Sequence, residues 1–240
     1  LVPTTVLELS EGSQSWTFER LPARPVPSLL RGFSAPVILE RETSSEERLV
    51  LLAHDTDPFN RWEAGRALAK DTLTRMVSAG AAPGRDFLEA LSRLAADDSL
   101  DPAFRALALR LPGQDDMAQT LHESGVVPDP QRIWEATRAL QEAIARHLEA
   151  VLARLHDEMA TPGPYTPDAP AAGRRALRAQ ALALLTRIDG GARAGALFEA
   201  ADNMTETLAA LGPLIEAGAA EGALAAFERR WRDDRLVMDK

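Results

Sequence analysis

Apolar positions in the first forty residues come in short β-favouring runs. Val6 to Leu9 and Trp16 to Phe18 flank Ser10-Glu11-Gly12-Ser13, a run of turn formers, and together they read as a hairpin. Leu7 and Leu9 share one face of this hairpin, as do Trp16 and Phe18. Pro22, Pro25 and Pro27 interrupt the pattern. Two further extended segments, Ser28-Leu29-Leu30 and Val37-Ile38-Leu39, then lie around Gly32 and Pro36. About four strands are expected. A sheet of that size cannot stand alone, so it should pack on helices or belong to a sandwich whose other strands lie elsewhere.

From Ser44 onward the hydrophobic period changes from two to 3.6. Ser44 with Glu47 makes a capping box, and Asp57-Pro58 opens a second helix with a carboxylate cap and a proline at its first position. On that helix Phe59, Trp62, Ala69, Leu73 and Met76 fall on one stripe, and Gly80 ends it. The same signal recurs at Asp101-Pro102 and Asp129-Pro130. Behind the latter, Ile133, Thr137, Leu140, Ile144, Leu148, Val151, Leu155 and Met159 step by three or four, which predicts a single long helix. Pro162, Gly163, Pro164 and Pro167 form a loop, and helices resume near Ala172–Ile188, Ala192–Ala200, Thr205–Leu211 and Gly222–Arg232. The fold class is therefore mainly α. An irregular α-solenoid of stacked antiparallel helices (44–240) follows a small partial β-sandwich (1–43), with a bundle as the alternative.

Composition narrows the function. The 240 residues are 45% hydrophobic and 26% charged, enough to bury a substantial core. A net charge of -9 opposes phosphate binding, so no nucleic-acid partner is expected. The absence of cysteine excludes a disulfide framework and a thiol nucleophile, and it suits the cytoplasm. No apolar run approaches the roughly 20 residues that span a bilayer, so no membrane partner is expected either.

Candidate chemistry begins with the four histidines, His54, His122, His147 and His156. His122-Glu123 starts like the zinc motif HExxH, but Val126 stands where the second imidazole belongs. His147 and His156 are nine residues apart and fall on opposite faces of one helix. All four are read as surface or packing residues. Asp97-Asp98 and Asp115-Asp116 are read as helix-end carboxylates, and the Arg229-Arg230-Trp231-Arg232 cluster as a solvated helix face balanced by Asp233 and Asp234. No serine-nucleophile elbow or phosphate loop is present. No catalytic, cofactor-binding or metal-ligating residue is assigned.

Pro25-Val-Pro-Ser-Leu-Leu-Arg-Gly-Phe-Ser-Ala-Pro-Val37 is similar to the segment that closes the β-sandwich of bacterial aminopeptidase N. Collinear matches follow. They are Asp57-Pro-Phe-Asn-Arg-Trp-Glu-Ala64, Asp101-Pro102, Leu111-Pro112 with Met117-Ala118, Ala201-Asp-Asn-Met-Thr-Glu-Thr-Leu-Ala-Ala-Leu211, and Trp231 with Leu236-Val-Met-Asp-Lys240. The resemblance covers nearly the whole chain and implies an internal piece of a zinc metallo-aminopeptidase. Its helical domain would enclose the active-site chamber and restrict access, with peptides as the parent's substrates. It also implies that zinc belongs to a catalytic domain outside this chain, which is then the first partner, and that no cofactor is held here. Cut from that partner, the N-terminal β region is expected to drive self-association. The competing reading is a freestanding α-solenoid module that binds a protein or peptide.

Overall fold

The computed structural model describes residues 4–239; residues 1–3 and Lys240, the last residue of one matching motif, lie outside it. Residues 4–43 carry a single 3-10 turn, Arg31–Phe33, and no strand. The four expected strands are thus not formed among the described residues. The reason is physical: a strand's backbone groups are satisfied only by a neighbouring strand. The bond nearest the expected hairpin turn is local, from the Ser10 amide to the Gln14 side chain. Most apolar residues of these runs face solvent, Val6 at 82% exposure and Ile38 at 92%.

Twelve helices follow among the described residues: α1 Ser45–His54, α2 Pro58–Ala79, α3 Arg85–Ala96, α4 Pro102–Ala108, α5 Gln114–Glu123, α6 Pro130–His147, α7 Glu149–Glu158, α8 Ala169–Asp189, α9 Ala192–Ala200, α10 Met204–Glu216, α11 Glu221–Trp231 and α12 Arg235–Met238. Seven of these starts are set by side chains that accept the orphan amides of the first turn. Ser44 caps α1, while Asp57, Asp101 and Asp129 cap α2, α4 and α6, each ahead of a proline. Gly80 ends α2 at φ 63°, the left-handed conformation that glycine adopts without steric cost.

The single helix expected over 129–159 is two helices. The chain bends at Leu148 (φ -101°, ψ 9°), while the Leu148 and Leu152 amides still bond the carbonyls of Ile144 and Leu148. Leu148 is itself buried. The bend lets one apolar stripe serve different partners, since α6 packs on α2, α3, α5 and α8, whereas α7 lies mainly on α8. Charge marks the break. Arg146 and His147 complement the C-terminal dipole of α6, and Glu149 that of the N-terminus of α7.

The main core runs from Leu52 of α1 to Leu185 of α8 and includes Leu73, Leu91, Met117, Leu140, Ile144 and Leu152. Each such side chain contributes roughly 1.5–3 kcal/mol by leaving water. A smaller core joins Leu182 of α8 to Leu197 of α9 and Leu214 of α10. Helix α8 therefore forms the spine shared by both. It approaches α4 closely at Gly173, where a Cβ would lie 3.3 Å from the Ala103 amide. Helices α11 and α12 bury no residue completely and extend from α10.

Candidate functional site

The sequence-predicted candidates do not converge. His54, His122 and His147 are exposed on α1, α5 and α6. Helix α5 ends at Glu123 and Gly125 turns left-handed (φ 76°), so Val126 does not occupy the helical turn that HExxH chemistry needs. Among the described residues no three His, Asp or Glu side chains gather as a metal site. The donor set therefore does not fit zinc. The acidic pairs carry structural bonds: Asp98 accepts from Arg105 (2.9 Å) and Arg154 (3.3 Å), and Asp116 from Arg66 (2.6 Å) and Lys70 (2.7 Å). Arg229, Arg230 and Arg232 are solvent-exposed around the end of α11, with the Arg230 guanidinium 5.2 Å from the Trp231 ring.

His156 differs from the other three. It is buried on α7, its Nδ1 lies 3.3 Å from Asp157, and its Nε2 has no partner. Burial pushes its pKa below the ordinary 6.5. Asp157 acts in the opposite direction, and the cations Arg178 and Arg193 add to the depression. Arg178 also ties three helices together. From α8 it donates to the His156 carbonyl (3.2 Å) and to Glu206 of α10 (2.6 Å). Asn203 caps α10: its side-chain oxygen accepts the Glu206 amide (3.0 Å), and its Nδ2 donates to the Glu206 carboxylate (3.0 Å). The Asn-Met-Thr-Glu motif is thus the anchored start of α10.

A second polar cluster, at the corner between α1 and α2, joins two motifs about 30 residues apart in sequence. Arg31 donates to Ser28, Asp55 and Thr56. The Gly32 amide donates to Asp57 Oδ2 (2.9 Å), while Asp57 Oδ1 accepts the Asn60 amide at the start of α2 (3.0 Å). Asn60 Nδ2 reaches back to Ser28 Oγ (2.9 Å) and the Leu29 carbonyl (2.7 Å). Phe33 rests on Phe59, ring centroids 4.6 Å apart, and Phe59 on Trp62 at 5.7 Å. Leu30 and Phe33 are left-handed at φ 54° and 56°, a conformation costing a non-glycine residue roughly 1–3 kcal/mol. Burial works to raise the Asp57 carboxyl. The amides of Asn60, Gly32 and Phe59 and the nearby Arg31 guanidinium outweigh it, so the group sits below its ordinary value. Arg61 finishes the corner by donating to the Leu52 (2.6 Å) and Ala53 (3.3 Å) carbonyls at the end of α1.

Such an arrangement positions elements; it brings no nucleophile against a base. Two shallow clefts open on the helical surface, one of about 430 Å³ at the α6–α7 bend beside His147 and one of about 280 Å³ around Trp134 and Arg187. Neither gathers a catalytic set. The fold and its sites together define a helical-repeat domain preceded by a segment docked on its first helical corner.

The chain belongs to the DUF3458 family of domains of unknown function. Residues 45–240 match the domain of unknown function DUF3458_C, described as ARM repeats, and residues 1–42 match DUF3458, described as an Ig-like fold. Aminopeptidase N of Caulobacter vibrioides is 41% identical over 99% of this chain, and aminopeptidase N of Haemophilus influenzae is 32% identical over 98%. The chain covers 28% and 27% of these relatives, so it spans little more than a quarter of their length. A crystal structure of Legionella pneumophila aminopeptidase A in complex with aspartic acid superposes with a TM-score of 0.76 at 29% identity, covering 92% of this chain and 27% of that one. The mainly helical, solenoid-like class expected from the sequence is borne out, and so is the resemblance to aminopeptidase N. No helix among the described residues is long and apolar enough to cross a membrane.

Proposed function

We propose that this chain is the non-catalytic portion of a zinc-dependent aminopeptidase that removes N-terminal residues from peptides. In this reading the helical body forms a wall of the active-site chamber and restricts entry to peptides and short unfolded ends. The observation that carries it is the alignment of 99% of the chain with 28% of a protein named aminopeptidase N. A packed helical body whose polar clusters are tied into caps and ion pairs supports a scaffolding role. Zinc and the groups that activate water would then belong to the rest of the polypeptide, which is the partner of this chain. The cytoplasm is the proposed location.

The test uses the longer polypeptide that contains this stretch. Its hydrolysis of aminoacyl reporters and of peptides of increasing length is compared with that of a form lacking residues 45–240. Loss of discrimination against long or folded substrates, with reporter cleavage retained, is expected. Unchanged length preference would remove the chamber reading. The chain alone is expected to bind zinc no better than a generic acidic protein and to cleave no reporter; stoichiometric zinc held within one chain would contradict this.

A further inference from the structure

We propose that residues 27–41 form a strap that locks the corner between α1 and α2, so that the Ig-like-family segment and the helical body move as one piece at this joint. The base of the strap is closed by Arg41, which donates to the Pro27 carbonyl (3.1 Å) and to Glu47 in the first turn of α1 (2.8 Å). Its tip, Arg31–Phe33, is held just beyond the other end of α1, where Arg31 donates to Asp55, the Gly32 amide to Asp57, and Asn60 to the Leu29 carbonyl just before the turn. The strap is therefore fastened both to the first turn of α1 and to the residues that follow its end.

Three features distinguish this from a passive linker. The bonds are made by side chains on both sides of the boundary near residues 42–45 where the two family matches meet. The backbone at Leu30 and Phe33 is held in a conformation that non-glycine residues leave when free to do so, which requires the surrounding contacts to over-determine it. The Asp57 carboxylate uses one oxygen for the strap and the other for the cap of α2, so docking of the tip and the start of that helix share a group. This inference is independent of the peptidase reading.

Limited trypsin digestion of the 240-residue chain tests it, because Arg20–Leu21 and Arg31–Gly32 are both cleavable bonds in the same segment. Cleavage after Arg31 is expected to be at least tenfold slower than after Arg20, and Asn60→Ala is expected to bring the two rates together. Equal rates in the unaltered chain would overturn the proposal, as would Asn60→Ala leaving Arg31 protected. Hydrogen exchange of the Gly32 amide in the unaltered chain supplies a reading that does not depend on any variant folding. At least tenfold slowing relative to the exposed amide of Gly12 is expected, and exchange as fast as Gly12 would equally overturn it.

Discussion

Per residue, the segment 4–43 is at least as rich in large apolar side chains as the helical body after Ser44, but the two differ in what those side chains meet. Ile38 and Val6 stand at 92% and 82% exposure, whereas Leu140 and Leu152 are at 0%. A helix satisfies its backbone within itself and needs neighbours only for its apolar stripe, which the next helix supplies. An extended run needs a partner for its backbone as well, and within residues 4–43 none pairs with another. Where the segment is docked, at the strap tip, side chains of α2 and the preceding loop supply the missing partners.

The largest effects should therefore fall on one side of this divide. Leu140→Ala or Leu152→Ala removes a fully buried side chain and is expected to cost about 2–5 kcal/mol by urea denaturation. Ile38→Ala is expected to stay within about 0.5 kcal/mol. A comparable loss at Ile38 would mean that its segment is packed in solution, which would erase the contrast.

The exposed runs give the next expectation. We propose that the chain self-associates through Leu7, Leu9, Trp16 and Phe18, since apolar surface left in water costs about 25 cal/mol per Å². Removing residues 1–40 should abolish association seen in sedimentation at tens of micromolar while leaving the helical circular dichroism largely intact. A clean monomer of the full chain would instead make the segment self-sufficient.

A third effect is confined to the helical body and appears as a pH dependence. His156 is held below 6.5 when folded and returns to about that value when unfolded. The unfolded chain therefore binds the proton first. The contribution of neutral His156 is complete above pH 6.5 and is lost as pH falls through that value toward the lower folded one. The urea midpoint should decline between pH 7.5 and 5.5, and His156→Leu should flatten the decline. A slope unchanged in that variant would place the titrating group elsewhere.

Much of the helical body was legible because its signals are local. Asp57, Asp101 and Asp129 each announce a helix start through a cap and a proline, and Gly80 an end. Helix α3 begins after Gly84 without a side-chain cap and carried no such signal. The Leu148 bend was hidden because its cause is the placement of α8, although the reversal from Arg146-His147 to Glu149 was a usable hint. In the N-terminal segment the alternation was legible and its pairing was not, since periodicity does not identify a backbone partner. The two motifs at Pro25–Val37 and Asp57–Ala64 were each recognisable, yet their contact through Asn60 and Asp57 is tertiary and left no periodic trace. The burial of His156 was equally invisible beside the exposed His147.

The smallest expected effect sharpens the comparison at the scale of one methyl group. Gly12 and Gly195 both have open space where a Cβ would be, and neither has a positive φ. Gly195 lies inside α9, so Gly195→Ala reduces the freedom of the unfolded chain at a position whose folded backbone is already fixed. A gain of about 0.5–1 kcal/mol is expected, read as a raised melting temperature. At Gly12 the segment has no regular backbone structure and makes few bonds to the body, so the same substitution restricts the chain to a similar degree before and after the helices melt. Gly12→Ala should therefore leave the melting temperature unchanged. An equal rise at both positions would show that residues near Gly12 become fixed in the same cooperative transition as the core, and the divide between the two regions would have to move toward the N-terminus.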